Sequence, residues 1–295
     1  MEEIRETILN PSEELNIVEL AKEKRRSLDL GMGPIGEKIF SVLRNNNIQL
    51  LYFALEPMGS ESLAALYLEK YNSISDKYSY YIAINTQVPV DLQIFNACHE
   101  YFHHIDDKKK ELHLQRIGSS DDELTNAKAN RFAAEFLLPT ETLITYVRKH
   151  NRGKIDLISW NKSALLRLIV QLQIEFQVPY QMIVKRLSEI KSITCILRDE
   201  LLEVNERSNE SSYYRLGTTM DKEIFKKLNS TSEKVKVDTE ALNLILQNFD
   251  EGTISLDSAV KDLSVFDKTL EDFGYEIDIL DDDIEELEQL FGDDN

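Results

Sequence analysis

The stretch Asp91 to Asp106 reads Asp-Leu-Gln-Ile-Phe-Asn-Ala-Cys-His-Glu-Tyr-Phe-His-His-Ile-Asp, and its pattern governs the reading of the whole chain. Ile94, Phe95, Cys98 and Phe102 recur at helical spacing, so the segment is expected to be a helix with one apolar stripe. On such a helix His99 and His103, four positions apart, share a face and can present ring nitrogens to a single ion. Glu100 sits about 100° round the axis from His99, close enough to bond a metal-held water without being a ligand. Zinc lowers the pKa of that water to roughly 7, and a carboxylate base then completes a hydrolytic nucleophile. The bland alternative is a surface helix with scattered histidines, and the surrounding apolar residues weigh against it. His104 points to a different face and reads as a surface residue rather than a ligand. Cys98 reads as a small buried apolar residue rather than a redox switch.

Working outward, three runs upstream read as strands. They are Ile48 to Leu55, Leu63 to Leu68 and Tyr78 to Ile84, the last rich in aromatic and β-branched residues. Helices are expected over Ser12 to Arg26 and Ile35 to Asn46. Downstream, Ser120-Asp121-Asp122-Glu123 has the form of a capping box and opens a helix that Pro139 stops. Further helices are expected over Glu141 to Lys149, Lys162 to Phe176, Tyr180 to Lys191, Asp238 to Gln247 and Leu256 to Leu263. The polar stretch Ser208 to Ser212 reads as a linker. The fold class is therefore α+β: a small early β-sheet packed on the histidine-bearing helix and on a second metal-site helix, followed by helical subdomains.

That second helix contains Ala129-Asn130-Arg131-Phe132-Ala133-Ala134-Glu135-Phe136-Leu137-Leu138-Pro139, beginning 26 residues after His103. Together with the HExxH motif it resembles the ImmA/IrrE-type zinc metallopeptidases. The resemblance covers the order of elements from about Gly33 to Pro139 and extends more weakly to Lys191. It implies a cytoplasmic bacterial peptidase, often of mobile-element or stress-response origin, that cleaves a helix-turn-helix repressor encoded nearby. It also implies a third zinc ligand three residues before the Ala-Asn pair, usually a glutamate. That position here is Asn126, and an amide oxygen is a poorer zinc ligand than a carboxylate. Glu123 and Asp122, three and four residues earlier, lie on the same helical face. Charge favours Glu123, since a dication between neutral imidazoles gains more from a carboxylate. The family register favours Asn126, and Glu123 has a second use in closing the capping box with Ser120; the expected third ligand is Glu123, with Asn126 and Asp122 as alternatives.

These readings divide the 295 residues into an N-terminal helical segment (1–32), a metallopeptidase domain (33–149), a helix-turn-helix-like subdomain (150–200), a C-terminal helical region (201–270) and an acidic tail (271–295). The net charge of −19 belongs largely to that tail, which holds twelve acidic residues and no basic one. Such a balance disfavours nucleic acid as a partner, although Lys185, Arg186 and Lys191 near the second helix of the pair keep a DNA-binding regulator open as a third reading. No apolar run reaches the ~18 residues that span a bilayer, and two cysteines imply no disulfide framework, which suits the cytoplasm. Gly31-Met32-Gly33-Pro34-Ile35-Gly36 spells the dinucleotide-binding glycine pattern but follows no buried strand, so it reads as a turn. In the tail, Leu280, Ile284, Leu287 and Phe291 form an apolar stripe, either on a solvated extension or on a docking helix. The expected function is a zinc-dependent endopeptidase acting on a protein partner; the competing reading is a catalytically degenerate peptidase fold that binds and regulates one.

Overall fold

The computed structural model describes residues 9–55, 63–72, 76–106, 120–204, 206–231, 239–264, 266 and 268–275. The first helix, α1 (Pro11–Ser27), opens with a capping box. Asn10 accepts from the backbone N–H of Glu13 at 3.0 Å, while the Glu13 carboxylate accepts from the N–H of Asn10 at 3.1 Å. The glycine-rich stretch after it is a turn, as expected. Buried Arg25 donates to the carbonyls of Gly31, Gly33 and Phe136, which pins the turn to the protein interior. At Gly36, with φ of +50°, a Cβ would fall 2.2 Å from the Gln177 side-chain oxygen. That oxygen accepts from the N–H of Glu37 at 2.9 Å, at the start of α2 (Lys38–Asn45).

The sheet has three strands in the order β1 (Ile48–Phe53), β3 (Lys77–Asn85), β2 (Ala65–Asn72). β1 lies parallel to β3, with Ile48 opposite Tyr80. β2 lies antiparallel to β3, with Tyr67 opposite Ile82 and Tyr71 opposite Tyr78. β2 runs four residues beyond the expected Leu68 because Glu69 to Asn72 continue the ladder with β3, where Lys70 and Tyr71 are exposed and no apolar alternation announces the strand.

α3 (Val90–Asp106) packs on β2, β3 and α4 (Ser120–Leu137), and α4 packs in turn on α1. Ile94, Ala97, Cys98 and Phe102 of α3 meet Phe132, Ala133 and Phe136 of α4 in one apolar core. Replacing a buried phenylalanine there with alanine costs about 3–5 kcal/mol. α5 (Thr140–His150), α6 (Lys162–Phe176) and α7 (Tyr180–Glu189) extend the same core.

Three further helices follow α7, on either side of the short stretch expected as a linker: α8 (Cys195–Leu202), α9 (Ser212–Met220) and α10 (Lys222–Leu228). Their polar N-caps, Thr194, Ser211 and Asp221, each accept from a backbone N–H three residues on. Ser208 to Ser212 is therefore no spacer: it leads into a cap, and Tyr213 just beyond it is fully buried. Gly217 lets α9 cross closely over the Phe225 ring, which a Cβ would meet at 2.2 Å.

The chain divides into two compact units, 1–236 and 237–295. The second contains α11 (Thr239–Asp250) and α12 (Leu256–Ser264) around a small core of Leu242, Ala259, Leu263 and Leu270. The stripe at Leu280, Ile284, Leu287 and Phe291 lies outside the described residues.

Candidate metal centre

α3 brings His99 and His103 to one face, as their spacing requires. Their Nε2 atoms stand 3.3 Å apart, with the rings inclined at 55°. Two imidazole nitrogens on one tetrahedral zinc, each roughly 2.05 Å from it, stand about 3.3 Å apart. The same separation lets one neutral imidazole donate to the other. The ring of His99 is oriented from behind: Nδ1 lies 2.9 Å from the Asn130 Oδ1 on α4. An amide oxygen only accepts, so Nδ1 carries the proton and Nε2 presents its lone pair towards His103. Burial lowers the His99 pKa against the hydrogen bonds it makes with Asn130 and Asn126, favouring the neutral ring that a metal needs.

Glu100 is buried on the flank of α3 that faces the sheet. Its Oε2 accepts from the backbone N–H of Tyr67 at 3.0 Å, a donor supplied by an edge strand whose other side pairs with β3. Burial pushes the Glu100 carboxyl up to about 7, against the opposing pull of that N–H. A bound dication would draw it back down. His104 is not the surface residue expected from the sequence. It is half-buried among Tyr67, Tyr80 and Tyr101, with Nδ1 at 3.2 Å from the Tyr67 hydroxyl, because the sheet beneath α3 presents tyrosine rings to it.

The three residues considered for the third ligand are placed differently. Asn126 is half-buried and within hydrogen-bonding reach of the His99 ring. Glu123 is exposed one turn earlier on α4, and the side chain of Asp122 lies outside the described residues. Among the described residues, no three His, Cys, Asp or Glu side chains gather as a metal-ligand group. Two imidazoles and a neighbouring carboxylate thus fit a zinc centre, and the third protein donor next to them is an amide.

The segment from 47 to 188 matches the model of a peptidase family described as the IrrE N-terminal-like domain. Over that stretch the chain is similar to this family. No curated protein matches the chain. The IrrE-like domain begins just before β1 and ends within α7, so it includes the histidine pair, α4 and the helices that brace it. No helix among the described residues is long and apolar enough to cross a membrane.

One brace had no counterpart in the sequence reading. Glu135, fully buried in the Ala-Ala-Glu-Phe run of α4, accepts from the Thr140 hydroxyl at 2.6 Å and the Thr140 N–H at 2.9 Å. It also pairs with Arg131 at 3.1 Å and with buried Arg186 of α7 at 2.9 Å. Arg186 is only 1% exposed, so it faces the core of the IrrE-like domain and not a nucleic-acid backbone. A carboxylate inside an otherwise apolar run was the available signal. Asn130 likewise belongs to the Ala-Asn motif of α4, but its contact with His99 arises only where α3 and α4 pack.

Proposed function

We propose that the chain is a zinc-dependent endopeptidase acting on a protein substrate, with His99 and His103 as ligands and Glu100 as the general base. The observation that carries this reading is the 3.3 Å convergence of the two Nε2 atoms beside a buried glutamate. Bound zinc would supply Lewis acidity towards the scissile carbonyl. Asn130 keeps the His99 proton on Nδ1, and the Tyr67 N–H holds one oxygen of Glu100. The other oxygen takes the proton of the attacking water and returns it to the departing amine. Asn126 is the donor nearest the pair for a third protein ligand, with Glu123 the alternative if α4 shifts along its axis.

The substrate class suggested by the resemblance is a helix-turn-helix regulator. A second reading, a degenerate peptidase fold that binds its partner without cutting it, is favoured specifically by the amide at position 126. Elemental analysis and co-expression with the neighbouring repressor separate the two. Wild-type protein should hold one zinc and cleave; His99→Ala and His103→Ala should lose the metal, since a site of three protein ligands cannot spare one. Glu100→Gln should keep zinc and lose cleavage. Undiminished zinc in either histidine variant, or cleavage by the Gln variant, contradicts the first reading.

A further inference from the structure

A cleft of about 640 Å³ opens along the face of α4 that carries Asn126 and Asn130. These two residues also reach the His99 ring, so the cleft adjoins the histidine pair across them, although neither histidine lines it. On α3 its floor is Leu92 and Phe95, seven and four positions before His99, which places floor and histidine along one helical stripe. Ala127 and Ala134 of α4 leave the space open, and Pro179 and Met182 at the start of α7 close the far wall.

The charges around this cleft balance. Arg131 pairs with Glu14 and Glu135, and Arg186 pairs with Glu135 and Glu189. Lys185 and Glu123 add one charge of each sign to the rim. Nothing in this lining selects a cationic or anionic group. Between these ions the lining is part amide, at Asn126, Asn130 and Gln181, and in larger part apolar, with Ala127 and Ala134 its smallest side chains.

We propose that this cleft is a specificity pocket that seats a large apolar side chain of the protein substrate, next to the bond held at the histidine pair. Ala127, Ala134 and Met182 set the size of residue accepted. α7 is then a selecting wall of the peptidase, held in register by the Arg186–Glu135 pair. The placement beside the scissile bond rests on the peptidase reading; the apolar preference of the cleft is measured separately.

The probe is a set of fluorescein-labelled pentapeptides Gly-Ala-X-Ala-Gly, with X as Leu, Phe, Ala, Glu or Lys. Each is titrated by fluorescence anisotropy against the full chain, with and without zinc. Seating a Leu or Phe side chain should tighten binding about tenfold to a hundredfold over X as Ala. Ala134→Phe should erase that preference while the circular dichroism spectrum and zinc content stay unchanged. Met182→Ala should shift the preference from Leu towards Phe, a gain that a damaged fold does not produce, and this arm decides the matter if Ala134→Phe fails to fold. Equal affinity across all five peptides, or a preference untouched by both substitutions, overturns the proposal. An apolar preference in wild-type protein that takes up no zinc would sink the metal reading and leave the pocket standing. Zinc-dependent cleavage with no preference would do the reverse.

Discussion

At the scale of single residues, the centre depends on two asparagines that do different jobs. Asn130 fixes the His99 tautomer, and outer-sphere partners of this kind are worth about tenfold to a hundredfold in metal affinity. Asn130→Ala should therefore weaken zinc by that factor without changing secondary structure, as measured by competition with a chromophoric chelator; unchanged affinity would show that the Nδ1 contact does no orienting. Asn126→Glu should instead tighten zinc by at least about tenfold, because a carboxylate replaces an amide beside a dication. If Glu123→Ala abolishes binding and Asn126→Glu changes nothing, the third ligand is Glu123. The HExxH spacing made the histidine pair and Glu100 legible from sequence. It could not reveal their supporting partners, since Asn130 and Tyr67 reach them only through tertiary packing.

Elements are locked together here by buried ions, and these are what hydrophobic periodicity conceals. Strands β1 and β3 and helices α3 and α4 were legible because each presents an apolar face of the right period. Helices α8, α9 and α10 were not: each is nine residues or fewer, with a polar cap that reads as a loop. Two ion pairs couple such elements and titrate in opposite senses. Burial alone would raise the Glu135 carboxyl, but Arg186, Thr140 and Arg131 outweigh it and hold it below the usual range. A depressed folded-state pKa gives stability that is present above the unfolded value, about 4.3, and is lost as pH falls through the folded one. Glu135→Gln should accordingly flatten the acid limb of a denaturation series recorded from pH 5 downward; an unaltered limb would dismiss the coupling.

Asp91, at the start of α3, is the opposite case. Burial raises its carboxyl pKa even though Arg207, 2.9 Å away, and Gln173, 2.8 Å away, pull it down. Arg207→Ala should cost about 2 kcal/mol through the lost charged hydrogen bonds. The variant raises the folded-state pKa further, and a raised group loses its contribution as pH climbs through that value. The deficit should thus be larger at pH 8 than at pH 5. Urea denaturation at both pH values checks it, and a deficit independent of pH would contradict the assignment.

For the whole molecule, the charge of −19 and the inward-facing Arg186 both disfavour nucleic acid as the main ligand. The acidic residues after Gly274 make no part of the histidine site in sequence. A chain ending at Gly274 should keep its zinc while its affinity for the protein partner changes with salt more weakly than that of the full chain. Identical salt profiles for the two chains would reduce the tail to a solvated extension.

The hydrogen bond from β2 to Glu100 carries one more consequence. Its donor is a peptide amide, not a side chain, so every amino acid except proline supplies it at position 67. A scan replacing Tyr67 with alanine would therefore report on the phenol ring and its contact with His104, and would leave the grip on the base untouched. Position 67 can change in letter without losing this donor. What secures the Glu100 carboxylate is written in the path of the strand, where a comparison of letters has nothing to count.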